Sequence, residues 1–288
     1  MRIIKIFIPL IIILVTTLTS CIQDDFEISD VGIPQNESGS IISFTTVRND
    51  GIISLSVDAP VKDRSGIWID LNNDGIRTED GSENIKNFNV YQDYHISTGV
   101  NKISIHGDCS YLGAASNELT AIDVSNNPFL KTLNIPLNRL VSLELSKNIA
   151  LINLDCSENS LISLNLSQNK SLESLWVFNN QLCALNVTNN IDLTFLDCSG
   201  NQLIALDITK NSELIHLLCY NNQLRSLDIS HNYKLNQLWT FNNSLSANET
   251  EFIITSLQKV LQGDLWISNK PINNEQIKII TDKGWEVN

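Results

Sequence analysis

Nowhere along its 288 residues does the sequence cluster lysine or arginine, and its 19 basic side chains are outnumbered by 32 acidic ones, for a net charge of −13. Proteins that hold a phosphate backbone do so with grouped cations, so this balance argues against a nucleic-acid partner. It suits instead a soluble surface that resists self-association. A catalytic set is also missing. The four histidines, His95, His106, His216 and His231, fit no metal-ligand spacing, and there is no Gly-x-Ser-x-Gly motif or phosphate loop. No enzyme is expected. Nor is there an apolar run long enough to span a membrane. The longest, Ile6 to Val15, is broken by Pro9 and preceded by Arg2 and Lys5, which reads as a signal peptide.

What the sequence does have is a period. Leucine recurs every 21 residues at Leu119, Leu140, Leu161, Leu182, Leu203, Leu224 and Leu245, and a second series runs through Leu130, Leu151, Leu172, Leu193, Leu214 and Leu235. Asparagine follows in both registers, as at Asn159 and Asn169. A fixed period near 20 residues predicts a solenoid, in which each repeat buries its apolar face only by stacking on its neighbours. Each turn nests a 10-residue unit, such as Leu151 to Ser160, and an 11-residue unit, such as Leu161 to Ser171. Both obey L-x-x-L-x-Φ-x-x-N, whose fourth and sixth positions alternate like a short half-buried strand. The asparagine amide can satisfy backbone groups at the bend, so stacked asparagines should form a hydrogen-bonded ladder inside the coil.

The pattern closely resembles the leucine-rich repeats of bacterial surface proteins, in particular the cysteine-ladder repeats of the internalin group. The resemblance covers residues 109–245 and implies a parallel-stranded coil lined by the units that begin at Leu130, Leu151, Leu172, Leu193, Leu214 and Leu235. Because the 11-residue units are also strand-like, the expected fold is a leucine-rich-repeat solenoid with short parallel strands on both faces. A small β-rich N-terminal region and an α/β C-terminal cap should close its ends. The cysteines follow the register. Cys156, Cys198 and Cys219 share a column with Ala114, Ile135, Val177 and Thr240, a buried small-apolar slot, and Cys109 sits at a leucine position. Cys156 and Cys198 lie two turns apart, roughly 9.6 Å at ~4.8 Å per strand, too far for a bridge. A reduced ladder is expected, with Cys198 and Cys219 its one pair on adjacent turns.

Five segments result. Residues 1–20 form the signal peptide, and Leu18-Thr19-Ser20-Cys21 resembles the lipobox of bacterial lipoproteins, which implies lipidation of Cys21. An ordinary secretion signal with an incidental cysteine is the alternative. Residues 21–40 read as a polar tether. Gln23-Asp24-Asp25-Phe26-Glu27 resembles the acidic signal that sends some lipoproteins to the cell surface, so the expected location is the outer membrane, lipid-anchored and exposed. Residues 41–108 carry β alternation, as in Ile52-Ile53-Ser54-Leu55-Ser56-Val57, and should cap the first repeat. The repeats fill 109–245. Residues 246–288 form the C-terminal cap, with Asn248 and Glu251 as a capping box for a helix through about Leu261, a strand at Trp266 and a second helix over 274–283.

The candidate binding surface is one face of the repeats. In the 10-residue units the third, fifth and seventh positions carry Phe195 and His216, then Trp176, Leu218 and Trp239, then Phe178, Tyr220 and Phe241. These odd positions flank buried ones, so they should point outward, and large aromatics there favour a protein partner. A glycan, which also stacks on rings, is the rival ligand. A purely structural envelope protein is the third possibility. The 11-residue units instead present Asp123, Glu144, Asp207 and Asp228 with an all-Ser/Thr seventh column expected to bond the turn backbone. Asp155 and Asp197, roughly 9.6 Å apart at two strand spacings, overlap the carboxylate separation of inverting glycosidases but sit on a surface without a cleft. One further constellation, Asp70, Asn72 and Asp74 before Gly75, begins like a calcium loop and takes Glu83 as its last ligand. The alternative is a solvated turn.

Overall fold

The structure, a computed structural model, describes residues 39–267 and 272–288. The signal peptide, Cys21 and nearly all of the tether lie outside the described residues.

The 10-residue units stack as a continuous parallel ladder. Strands β1 (Ile41–Thr46), β2 (Ile52–Asp58), β3 (Trp68–Asp70), β4 (Gln92–His95) and β5 (Lys102–His106) precede the repeats. Within them run β6 (Tyr111–Gly113), β7 (Leu119–Asn126), β8 (Thr132–Asn134), β9 (Asn153–Asp155), β10 (Ser174–Trp176), β11 (Phe195–Asp197), β12 (His216–Leu218) and β13 (Gln237–Trp239). From β8 to β13 each strand pairs with the next one full period on, so Leu133, Leu154, Leu175, Leu196, Leu217 and Leu238 form one buried row. Strand alternation turns the residues on either side of that row outward. One turn buries Leu172, Leu175, Val177, Leu182, Leu185 and Val187, each worth about 1.5–3 kcal/mol relative to exposure. The cysteine column is part of this core. Cys109, Cys156, Cys198 and Cys219 are all buried, and all are free thiols.

Both asparagine series are ladders. Asn201 accepts from Leu182 N at 3.0 Å and donates to Val177 O one turn back at 3.0 Å. In the other series Asn190 donates to Leu166 O at 3.1 Å and to Asn169 O at 2.7 Å. Losing such an amide would orphan buried backbone groups at about 1–3 kcal/mol each. The bend after each strand uses left-handed backbone at Ser116, Leu137, Glu158, Asn179, Asn221 and Asn242, and at Gly200 with φ +62°. At Gly200 a Cβ would come within 2.2 Å of the Asn179 side-chain oxygen, so a larger residue there would have to displace that side chain.

The 11-residue side differs from expectation. Only its first copy, β7, is a strand, and it pairs antiparallel with β1 rather than with the next turn. Further along, the groups a sheet would need are already used. The sixth-position carbonyl, as at Val187, accepts from Asn190 N in its own turn and from the Asn211 amide of the next. The seventh-position N–H, as at Thr209, donates to the side chain two residues back, Asp207. Alternation alone cannot distinguish this side-chain-clamped extended chain from a strand.

The ends are closed by added strands. β2 runs antiparallel to β6 and β4, while β1 bridges β5 and β7, so the N-terminal region covers the first turn on both sides. At the other end β14 (Gly263–Trp266) and β15 (Trp285–Val287) extend the parallel ladder past β13. The cap helices are α1 (Ala247–Ser256) and α2 (Asn274–Asp282). The N-cap of α1 is Ser246, which accepts from Glu249 N at 3.1 Å, and the helix stops at Ser256. The expected Asn248–Glu251 box is absent because the helix starts earlier and Asn248 lies inside its first turn; Glu251 accepts from Gln276 Nε2 at 2.7 Å, tying α1 to α2.

Candidate functional site: the outward face of the parallel ladder

Residue-for-residue register sets the face. The fifth-position column reads Asn134, Asp155, Trp176, Asp197, Leu218, Trp239 and then Trp266 across β8 to β14. The third-position column reads Phe195, His216, Gln237, Asp264 and Glu286. Aromatics of the third, fifth and seventh positions on neighbouring strands meet ring to ring along the solenoid. Trp176 and Phe195 have centroids 4.7 Å apart, and Phe195 and His216 5.9 Å. A second group joins Tyr220 to Phe241 at 4.6 Å and 9°, and Phe241 to Trp266 at 4.2 Å. Such pairs add about 0.5–1.5 kcal/mol beyond burial.

The expected residues are therefore brought together, but they do not project freely. Trp176, Phe178, Phe195, His216, Leu218, Tyr220 and Trp239 are half-buried. Phe241 is a correction: it is buried, 9 % exposed, because Tyr220 and Trp266 cover its two faces. Trp266 escaped the periodic reading because it follows Trp239 by 27 residues rather than 21. The shared x-Leu-Trp of Gln237-Leu238-Trp239 and Asp264-Leu265-Trp266 marks it. Cys183 also fell outside the ladder reading. It occupies the exposed second position of an 11-residue unit, in the column of the exposed Val141, Ile162 and Ile204.

Two carboxylates are built into the face. Trp176 separates Asp155 from Asp197 in their column. Each holds the serine two residues on: Ser157 and Ser199 donate both backbone N–H, at 3.0 Å, and hydroxyl, at 2.6 Å. Burial raises Asp155 above the usual carboxylate range and pushes Asp197 up to about 6, against the pull of the serine hydrogen bonds. Burial likewise lowers His216, partly offset by the neighbouring Gln237 amide. On the 11-residue side the same Asx-type clamp is exposed. Hydroxyl donation from Ser125, Ser146, Thr209 and Ser230, reinforced by their backbone N–H groups, lowers Asp123, Glu144, Asp207 and Asp228. The acid is thus the residue that binds the backbone there, with the Ser/Thr column as donor.

The Asp70 loop lies apart from the ladder face. Asp70 and Glu83 are buried. Asp70 accepts from Asp74 N at 3.2 Å and Gly75 N at 2.9 Å, and Glu83 from Leu71 N at 3.0 Å and Thr78 N at 2.9 Å. Asn72 is half-buried, Asp74 is exposed, and the two bond each other. All four oxygens of the buried pair hold backbone N–H groups, which closes the loop as a turn. Among the described residues no group of three or more His, Cys, Asp or Glu side chains is placed to hold a metal.

Comparison with known proteins agrees with this architecture. An internalin, InlF, of Listeria monocytogenes superposes on 57% of this chain and 48% of its own, with a TM-score of 0.51 and 21% identity. The functional domain of InlJ from the same organism, which includes a cysteine ladder, is 34% identical over 47% of this chain and 35% of that one, at a TM-score of 0.44. A leucine-rich-repeat protein of Leptospira interrogans is 27% identical over 46% and 37% of the two chains, at 0.45. The chain spans less than half the length of each of these structures. No protein-family model and no curated protein matches it. The fold is a leucine-rich-repeat solenoid of short parallel strands.

Proposed function

We propose that this protein is a non-catalytic interaction protein that binds a protein partner through the aromatic columns of its parallel ladder, and that a lipid on Cys21 anchors it at the outer membrane with the repeats exposed. The observation that carries the reading is the tilted ring series Trp176–Phe195–His216 together with the separate stacked series Tyr220–Phe241–Trp266. Large, rotationally restricted side chains presented by a rigid sheet lose little entropy on binding, which is what an interface anchor needs.

Ring stacking favours a protein over a glycan. A sugar binds the open face of an aromatic ring, and here the faces in the Tyr220–Phe241–Trp266 series are turned toward one another. Ring edges and half-buried indoles remain, which suit the side-chain contacts of a protein surface. Asp155 and Asp197 belong to the scaffold in this account, since each carboxylate fixes the bend beside it. The test is to present the soluble repeat region both to glycan arrays and to displayed surface proteins. Saturable binding to a protein supports the reading, and binding confined to glycans defeats it.

A further inference from the structure

We propose that binding at the aromatic face takes up protons at Asp155 and Asp197, so that the protein holds its partner more tightly in mildly acidic surroundings than at neutral pH. The inference rests on the protein-binding reading above and adds a regulatory property to the same face. The two carboxylates stand in the fifth-position column with Trp176 between them, roughly 9.6 Å apart at two strand spacings. Asp197 is 8 % exposed and Asp155 is half-buried. Among the described residues neither takes part in an ion pair. Each is held by the N–H and hydroxyl of the serine two residues on, both directed at one oxygen. A carboxylate taken out of water with neutral donors alone keeps much of its desolvation cost, and a proton relieves that cost.

The groups around the pair supply no cation. Glu158, Tyr91 and Tyr111 act on or feel Asp155, and Tyr220 feels Asp197. The thiols of Cys156, Cys198 and Cys219 lie behind the sheet. Burial raises these phenols and thiols, so they stay neutral in the range where carboxylates titrate. His216, on the strand next to Asp197, is held below its ordinary pKa by burial. The charges that meet on this part of the face at neutral pH are therefore negative.

Covering the face sets the sign. A partner seated on Trp176 and Tyr220 excludes the water that still touches both carboxylates. Their charged forms lose more by this than their protonated forms, so both pKa values rise further in the complex. By linkage, binding then takes up protons, and affinity grows as pH falls through the range of the carboxylates, about 6 for Asp197 in the free protein. His216 has the opposite sign, because covering it lowers its pKa further and releases a proton. The direction of proton flow thus separates the carboxylates from the imidazole.

The test has a partner-free arm and a binding arm. The free chain, labelled with 13C at its aspartate carboxyls, is titrated by NMR, with Asp155→Asn and Asp197→Asn assigning the two signals. Asp197 should titrate near pH 6 and Asp155 above the ordinary aspartate range, and ordinary titration of both would overturn the proposal. The protein identified by surface display is then bound at pH 7.5 and pH 5.5, with calorimetry in two buffers of different ionisation heat to count protons. Affinity should be roughly fivefold tighter at pH 5.5, with net proton uptake. The Asp155→Asn, Asp197→Asn double variant, folded by circular dichroism, should bind equally at both pH values. Asp207→Asn, on the other side of the coil, should keep the wild-type dependence. Proton release by the wild-type chain, equal affinity at both pH values, or a dependence that survives in the double variant would overturn the proposal and leave the protein-binding reading standing. If no displayed protein binds, that reading has failed and the proposal falls with it.

Discussion

Ser199 donates both its backbone N–H and its hydroxyl to a single oxygen of Asp197, at 3.0 and 2.6 Å, beneath the aromatic face. The clamp fixes the bend that follows β11, but it holds a carboxylate where burial raises its pKa to about 6 from 3.8. The folded state therefore binds the proton more tightly than the unfolded chain does. Stability from this group is fully present below the unfolded pKa and is lost as pH rises through about 6. Asp197→Asn keeps the acceptor for Ser199 and removes the charge. It should stabilise the protein at pH 7.5 by roughly 2–3 kcal/mol, about two pKa units of linkage, and by much less at pH 3.5. Thermal melts at both pH values check this, and a variant destabilised equally at both would contradict it.

Thiol reactivity should divide the cysteines cleanly. Cys109, Cys156, Cys198 and Cys219 are buried, and burial pushes their thiols up, Cys109 to about 12. Thiolate is the reactive form, so these four should label slowly until the protein is denatured. Cys183 is exposed and should label at once. Mass mapping of the native protein should find no Cys198–Cys219 linkage, and finding one would refute the reduced ladder.

The period was legible because a repeat that cannot bury Leu154 or Leu175 alone must reproduce the same spacing in each turn. Outward columns followed from the same register. What sequence hid was how outward positions treat one another. That Phe241 is covered depends on Trp266, which belongs to the cap and breaks the period. The second set of strands was a misreading of a kind alternation permits. Leu185 and Val187 are buried as a strand would bury them, but the neighbouring Asn186 takes the Thr188 N–H that a ladder would need. Cys183 was missed for a simpler reason, since it shares an exposed column with Val141 and Ile162 rather than the column of the buried thiols.

The Asp70 loop should behave as a structural turn. Asp70→Ala removes the carboxylate that accepts from Gly75 N and shares Asp74 N with Asn72 Oδ1, and should cost about 1–3 kcal/mol. The loss should be the same with chelator or with millimolar calcium. A calcium-dependent rise in melting temperature that disappears in the Asp70→Ala, Asp74→Ala double variant would place an ion at Asp70, Asn72, Asp74 and Glu83 after all.

Anchoring is tested at Cys21. Cys21→Ala should leave an unlipidated protein in the soluble export fraction, whereas wild type carries lipid label and sediments with membranes. Membrane retention of the variant without label would remove the lipoprotein proposal and leave the repeat face untouched.

The most direct test of the account compares the two sides of the coil in one binding measurement. Trp176 is half-buried and in tilted ring contact with Phe195, so Trp176→Ala should cost about 1–3 kcal/mol of stability, less than a fully buried tryptophan. At a temperature where the variant remains folded by circular dichroism, its affinity for the protein partner identified by surface display should fall at least 30-fold, about 2 kcal/mol. Asp207→Ala, on the opposite side, should leave that affinity within twofold of wild type. Wild-type affinity in folded Trp176→Ala, or a loss seen only when it unfolds, would make the aromatic columns a structural ladder and contradict the account.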